Sequence, residues 1–214
     1  MHAPTIAFAQ QKGGAGKTTL AAHLAVALAE GGARVAALDT DPQGSLAGWA
    51  ELRADATGRR GEVTTHSVAG WRLGTELGRL HREHDLVLID SPPHAETDAR
   101  AAIRAAELLV VPVQPSPMDV RATRPTLALA DDAGTPALLV LNRVPPRARL
   151  TAAMTDALSD FAAPLADSRV GARVALAESM AAGLGVTESQ PRGRAATEVR
   201  ALARELRERM NDDR

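Results

Sequence analysis

The segment Gln10–Thr19, Q-Q-K-G-G-A-G-K-T-T, constrains this chain more than any other. It follows a short apolar run, Thr5–Ala9, and opens a helical pattern over Lys17–Glu30 with Leu20, Leu24 and Leu28 on one stripe and Gly31-Gly32 at its end. A glycine-rich loop between a strand and a helix is a phosphate cradle. Gly13, Gly14 and Gly16 let the backbone bend so that N–H groups along Gly13–Thr19, Ala15 and Thr19 included, meet phosphate oxygens, and the helix N-terminus adds its dipole. Lys17 is placed to reach terminal phosphates, and the Thr18 hydroxyl to ligate Mg²⁺. The strict pattern G-x-x-x-x-G-K-[ST] asks for glycine where Gln11 stands; here Lys12 opens the loop instead, giving K-G-G-A-G-K-T.

The remaining pattern alternates strands with helices. Apolar runs at Arg34–Leu38, Asp85–Ile89, Leu108–Val113 and Ala137–Leu141, with a weaker one at Glu62–Val68, predict strands. Trp71–His84, with Leu73, Leu77 and Leu80 at helical spacing, Thr151–Phe161 and Ala172–Ala182 predict helices. Thr197–Met210, with Leu202, Leu206 and Met210 on one face, predicts the closing helix. This is an α/β chain of the P-loop NTPase type: a mainly parallel twisted sheet, helices on both faces, one domain over 1–214. Ala56–Gly61 reads as a surface loop rather than a boundary. In such sheets ligands sit at the carboxyl ends of the strands. Asp39, Asp90 and Asn142 each end a predicted strand, at the same end as the glycine-rich loop.

Composition removes several classes. With no cysteine there is no disulfide, thiolate zinc site or iron–sulfur cluster, which fits a reducing compartment. No apolar run reaches the roughly 18 residues a membrane span needs, so no stable membrane insertion is expected. A net charge of −1 gives no overall field for nucleic acid, so DNA binding would need a local patch. Two Phe, two Trp and no Tyr leave little for base stacking. None of His2, His23, His66, His81, His84 and His94 stands at metal-ligand spacing with a second candidate; His23 reads as core or boundary and His94 as surface.

The lysine-opened loop resembles the deviant Walker A motif of the ParA/MinD ATPases. The likeness continues through D-T-D-P-Q-G-S-L (Asp39–Leu46), L-V-L-I-D-S-P-P (Leu86–Pro93), V-V-P-V-Q-P-S-P-M-D (Val110–Asp119) and L-V-L-N-R-V (Leu139–Val144). The D-P-Q-G form and the loop's start at residue 12 are similar to the small ParA type without an N-terminal helix-turn-helix domain. The resemblance implies ATP and Mg²⁺ as ligands, slow hydrolysis and an ATP-dependent homodimer in which Lys12 crosses to the partner's phosphates. In this reading a lysine at position 12 has no good intramolecular job, because Lys17 already serves its own subunit's phosphate. Asp41 would position the attacking water, Asp90 would hold the Mg²⁺ shell as the Walker B carboxylate, and Asn142 would read the adenine edge. Asp39 would support either the Mg²⁺ water ligands or the loop.

Three functions follow from that likeness. The first is a DNA-dependent positioning ATPase, whose ATP dimer binds double-stranded DNA without sequence preference and is released when an adaptor protein, ParB-like or cargo-specific, triggers hydrolysis. Such a protein would be cytoplasmic, and nucleoid-associated when ATP-bound; its cargo would be a plasmid, a chromosome region or a protein cluster. The second is a MinD-like membrane-cycling ATPase, and the third an ATP-using metabolic enzyme. From Arg192 to Arg214 seven arginines stand against five acids, a balance of +2. Arg192, Arg194 and Arg200, ahead of most of those acids, are the candidate DNA-phosphate contacts, with a solvated arginine-rich surface as the alternative. The stripe Val199, Leu202, Leu206 and Met210 carries no Phe or Trp, which suits packing on the domain better than a membrane surface.

Overall fold

The computed structural model describes residues 2–57, 63–93, 96–146 and 149–212. Six strands form one fully parallel sheet: β1 (Thr5–Phe8), β2 (Val35–Asp39), β3 (Val63–Ser67), β4 (Leu86–Asp90), β5 (Leu108–Val113) and β6 (Ala137–Leu141), in the order β3-β2-β4-β1-β5-β6. The helices are α1 (Lys17–Glu30), α2 (Ser45–Thr57), α3 (Leu73–Glu83), α4 (Glu96–Arg104), α5 (Pro117–Ala133), α6 (Arg149–Ser159), α7 (Val174–Ala181), α8 (Val186–Ser189) and α9 (Arg194–Asp212). Strands covered on both faces need no polar side, so β4 and β5 read as unbroken apolar runs.

Pleat alternation divides the core in two. Ile6, Phe8, Leu88 and Val110 face a layer built from α1, α2, α7 and α9. Ala7, Ile89, Leu109 and Val111 face α3, α4, α5 and α6. The expected leucine stripe of α1 is buried, but so is nearly the whole helix from Leu20 to Leu28. Sheet contacts take one side of α1 and α2, α7, α8 and α9 take the rest, so it is a core element rather than an amphipathic surface helix. The stripe of α9 is also closed: Val199, Leu202 and Leu206 are fully buried and Met210 nearly so.

Every predicted strand forms, within a residue of its expected bounds. The helices α2, α4, α5 and α8 were not legible. α2 mixes apolar and charged residues with almost no amphipathic period. α5 carries Pro117 at its first turn and Pro125 in its interior, which read as breakers. The first is harmless because the first helical N–H has no intrahelical partner, and the Ser116 hydroxyl caps this end by accepting from Asp119 N at 3.2 Å. Trp71–His84 splits into a 3₁₀ turn over Gly70–Arg72 and then α3. The loop expected over Ala56–Gly61 is helical at its first two residues, and positions 58–61 lie outside the described residues, as does His94. No helix of the described residues is long and apolar enough to cross a membrane.

His23 ties α1 to the α7–α8 hairpin. Its Nδ1 accepts the Val186 N–H at 3.1 Å, which leaves the proton on Nε2 to be donated to the Leu176 carbonyl at 3.1 Å. The ring is fully buried, and burial pushes its pKa down to about 4. Between about pH 6.5 and 4 the unfolded chain takes a proton that the folded chain refuses, so stability falls as pH drops through that window, by on the order of 3 kcal/mol. Thermal unfolding at pH 7 and pH 4.5 should show the drop. His23→Gln should be less stable at pH 7 but show a smaller drop; an equal drop would assign the acid sensitivity to other groups.

Candidate nucleotide site

The chain order of the sheet reverses beside β1: α1 leads from β1 toward β2 on one side, and α4 leads from β4 across β1 to β5 on the other. This switch point opens a crevice at the carboxyl ends of the strands, where the glycine-rich loop lies. Gly14 and Gly16 have φ of 78° and 93°, a region side chains disfavour. The loop is pinned from several directions. The Gln10 amide donates to Thr123 Oγ1 at 3.3 Å and accepts from Thr126 Oγ1 at 3.2 Å, both on α5. Gln11 N donates to Thr126 Oγ1 at 3.2 Å. Gln114 Nε2 donates to the Gly14 carbonyl at 2.9 Å, and Asn142 Nδ2 to the Ala15 carbonyl at 2.8 Å. Gly16, the N-cap of α1, offers no side-chain cap and the first turn holds no acid, so the N–H groups there remain available to an anion.

Lys17 and three aspartates share the crevice. Parallel pairing sets Asp39 level with Asp90. Lys17 Nζ, almost buried, donates to the Gln10 carbonyl at 3.1 Å. Burial lowers its pKa, while the charges of Asp90 and Asp41 oppose that shift. Thr18 Oγ1 donates to Asp90 Oδ2 at 2.6 Å, and Asp90 Oδ1 is buried with no partner among the described residues. Burial pushes the Asp90 pKa up to about 7, with the Thr18 hydrogen bond pulling it down and the neighbouring Asp39 adding to the rise. An orphaned carboxylate oxygen beside a hydroxyl fits a hydrated Mg²⁺, which Thr18 and Asp90 would hold and which would supply positive charge against phosphate oxygens. No group of three or more metal-binding side chains occurs among the described residues, so water and phosphate would complete such a shell.

Both carboxylate oxygens of Asp39 hold the loop that follows its strand. Its Oδ1 accepts from Asp41 N at 3.0 Å, and its Oδ2 from Leu46 N and Ala47 N, each at 2.9 Å. It thereby caps α2 from a distance and fixes the turn that carries Asp41. Burial raises its pKa, and the three backbone donors oppose that rise. Asp41 Oδ1 accepts from Gln43 N at 2.9 Å, while Oδ2 has no hydrogen bond among the described residues.

Lys12 departs from expectation. Its Nζ lies 2.6 Å from Asp119 Oδ2, so the lysine does have an intramolecular partner. The carboxylate is nearly buried and also accepts from the Ser116 hydroxyl. Sequence does not show this pair, because α5, masked by its prolines, is what carries Asp119 to the loop. Sequence reading also gave no role to Gln10, Gln114, Thr123 or Thr126; Gln114 does stand inside the V-V-P-V-Q-P motif. Asn142 lies buried against Ala15 and Gly16. Away from the crevice, Arg192 and Arg194 are exposed with no partner among the described residues. Arg200 is occupied: it donates to the carbonyls of Pro191 at 2.6 Å and Thr187 at 3.0 Å and lies 3.5 Å from Glu30.

Comparison with known proteins agrees with this geometry. Residues 6–186 match the family described as the CobQ/CobB/MinD/ParA nucleotide binding domain. Maintenance of carboxysome distribution protein A of Gloeobacter kilaueensis is 35% identical over 211 residues, covering 97% of this chain and 94% of that protein. The chromosome-partitioning ATPase Soj of Thermus thermophilus is 38% identical over 134 residues, covering 51% of this chain and 54% of that protein. The septum site-determining protein MinD from Pyrococcus horikoshii, complexed with Mg-ADP, shares the fold with a TM-score of 0.78 at 23% identity, covering 95% of this chain and 96% of that one.

The two left-handed glycines of the loop should respond differently to substitution. A Cβ on Gly16 would collide with Asn142 Nδ2, whereas one on Gly14 meets nothing within 4 Å. Gly14→Ala should cost about 1–2 kcal/mol, from backbone conformation alone. Gly16→Ala should cost more, since it also displaces Asn142 from Ala15. Chemical denaturation of both variants checks this; equal losses would mean that Asn142 yields freely.

Proposed function

Because the chain belongs to the CobQ/CobB/MinD/ParA nucleotide-binding family, we propose that it is a Mg²⁺-dependent ATPase that dimerises on ATP, binds DNA without sequence preference and positions a cargo through an adaptor-stimulated hydrolysis cycle. The observation that carries this reading is the loop opened by Lys12, with a second lysine, Lys17, already committed to the same cradle. Lys17 neutralises the terminal phosphates, and Thr18 and Asp90 would hold Mg²⁺, which would supply further positive charge there. The free oxygen of Asp41 accepts a hydrogen bond from water and aims it at the γ-phosphorus, and the bond to ADP breaks as the new P–O bond forms. Lys12 from the partner subunit adds positive charge where the transferring phosphoryl group carries it. Asn142, whose amide N–H braces the Ala15 carbonyl, keeps its amide oxygen for the adenine edge in this reading.

The near full-length match to a carboxysome-distribution protein supports a protein assembly as cargo, over a plasmid or chromosome region. A membrane cycle is disfavoured by α9, whose apolar stripe is already used in packing. DNA contact falls to Arg192 and Arg194, because the Arg200 guanidinium is engaged with backbone carbonyls.

Lys17→Ala should lose ATP affinity, and Asp41→Ala should bind ATP without hydrolysing it and accumulate as the dimer. The Asp41→Ala protein with ATP should bind random-sequence duplex, steeply less as salt rises. Arg192→Ala with Arg194→Ala should weaken that binding and leave ATP affinity unchanged. Binding to anionic liposomes in place of duplex would move the protein to the membrane-cycling class, and binding to neither would favour a metabolic enzyme.

Lys12 must leave Asp119 before it can cross, and its departure strips a buried carboxylate of its cation. Asp119→Asn should therefore lower the protein concentration needed for ATP-dependent dimerisation, about tenfold or more, while Lys12→Ala prevents it. Sedimentation with a slowly hydrolysed ATP analogue checks both. Weaker dimerisation of Asp119→Asn would show that the carboxylate aims the lysine instead of restraining it.

A further inference from the structure

We propose that Arg143 is a further nucleotide ligand, whose guanidinium takes the α-phosphate, the part of the phosphate chain that ATP and ADP share. The inference rests on the reading of the glycine-rich loop as a nucleotide cradle. Arg143 is the sole non-glycine residue with a positive φ among the described residues, at 53°. Its conformation is imposed from both sides. Asn142 N donates to the Val113 carbonyl at 2.9 Å and its amide to Ala15, while Val144 N donates to the Val170 carbonyl at 3.0 Å and Ala172 N to the Val144 carbonyl at 2.9 Å. A long side chain held in a disfavoured backbone region between two fixed residues is a place where fold stability is given up for position.

That position is over the cradle. Arg143 Nε lies 3.9 Å from where a Cβ on Gly16 would stand, so the side chain runs along the last loop glycine at the entrance to α1. The guanidinium is exposed and has neither hydrogen bond nor ion pair among the described residues. The two loop lysines are committed elsewhere: Lys12 to Asp119, and Lys17 to Gln10 beside the aspartates that define the terminal-phosphate end. Arg143 enters from Asn142, at the other end of the loop. A planar guanidinium with five donors suits phosphate oxygens there, beside the free N–H groups of the helix entrance.

Equilibrium binding of Mg-ADP and Mg-ATP to wild type, Arg143→Ala, Arg143→Lys and Arg143→Gly tests this, with thermal unfolding of each protein before nucleotide is added. Arg143→Ala should weaken both nucleotides by the same factor, about tenfold, and Arg143→Lys should recover part of it. Arg143→Gly should weaken both equally while raising the unfolding temperature, because glycine accepts the backbone angle. Unchanged affinities in both Arg143→Ala and Arg143→Gly would overturn the proposal, as would a loss confined to ATP, which would place the guanidinium at the γ-phosphate. Failure of wild type to bind either nucleotide would instead overturn the cradle reading on which it rests.

Discussion

Parallel pairing of β1, β2 and β4 sets Phe8, Asp39 and Asp90 at one level. The chain leaving each of these strands contributes to the crevice: the phosphate loop, the Asp41 turn and the Asp90 carboxylate. A one-residue slip of any of them would turn its apolar set inside out and carry its polar end residue to the opposite face. The two faces pack closely against different helix layers, and exchanging their side chains would disrupt both, so the core that stabilises the sheet also fixes the crevice. The site's precision thus comes from many nonpolar contacts far from it.

Against that rigid frame the crevice concentrates unfavourable charge. Asp39 and Asp90 sit side by side with both pKa values raised, and Lys17 is held with its own lowered, all chiefly by burial. Three backbone N–H groups offset the cost for Asp39 and a single hydroxyl does so for Asp90. The two carboxylates differ in what is left over. Asp39 is satisfied by backbone donors, whereas Asp90 keeps an oxygen with no partner among the described residues.

Sequence made the strands legible because each is a short apolar run closed by a polar residue, and it made the loop legible because glycine spacing has few other uses. What it could not show was what α5 does. Helical periodicity in that segment is masked by Pro117 and Pro125, so the contacts it makes with Gln10 and Gln11 and the partner it brings to Lys12 were invisible. Arg200 is a related case. In sequence it is one arginine of a basic stretch, and only the turn at Thr187–Pro191 shows that two of its nitrogens donate to backbone carbonyls. Asp39 and Asp41 belong to the same short motif, yet only the placement of α2 separates a carboxylate with both oxygens bonded from one that keeps an oxygen open.

The hydrogen bonds from Gln114 and Asn142 to the loop carbonyls have a thermodynamic side. They come from residues just beyond β5 and at the end of β6, outside the loop, so the curvature that aims the N–H groups is braced by the sheet itself. A preorganised receptor gives up little conformational freedom when its guest arrives, and the entropic cost of ordering has already been met during folding. Affinity is then governed by what the guest brings, its charge and its hydration, rather than by how readily the loop can be shaped around it.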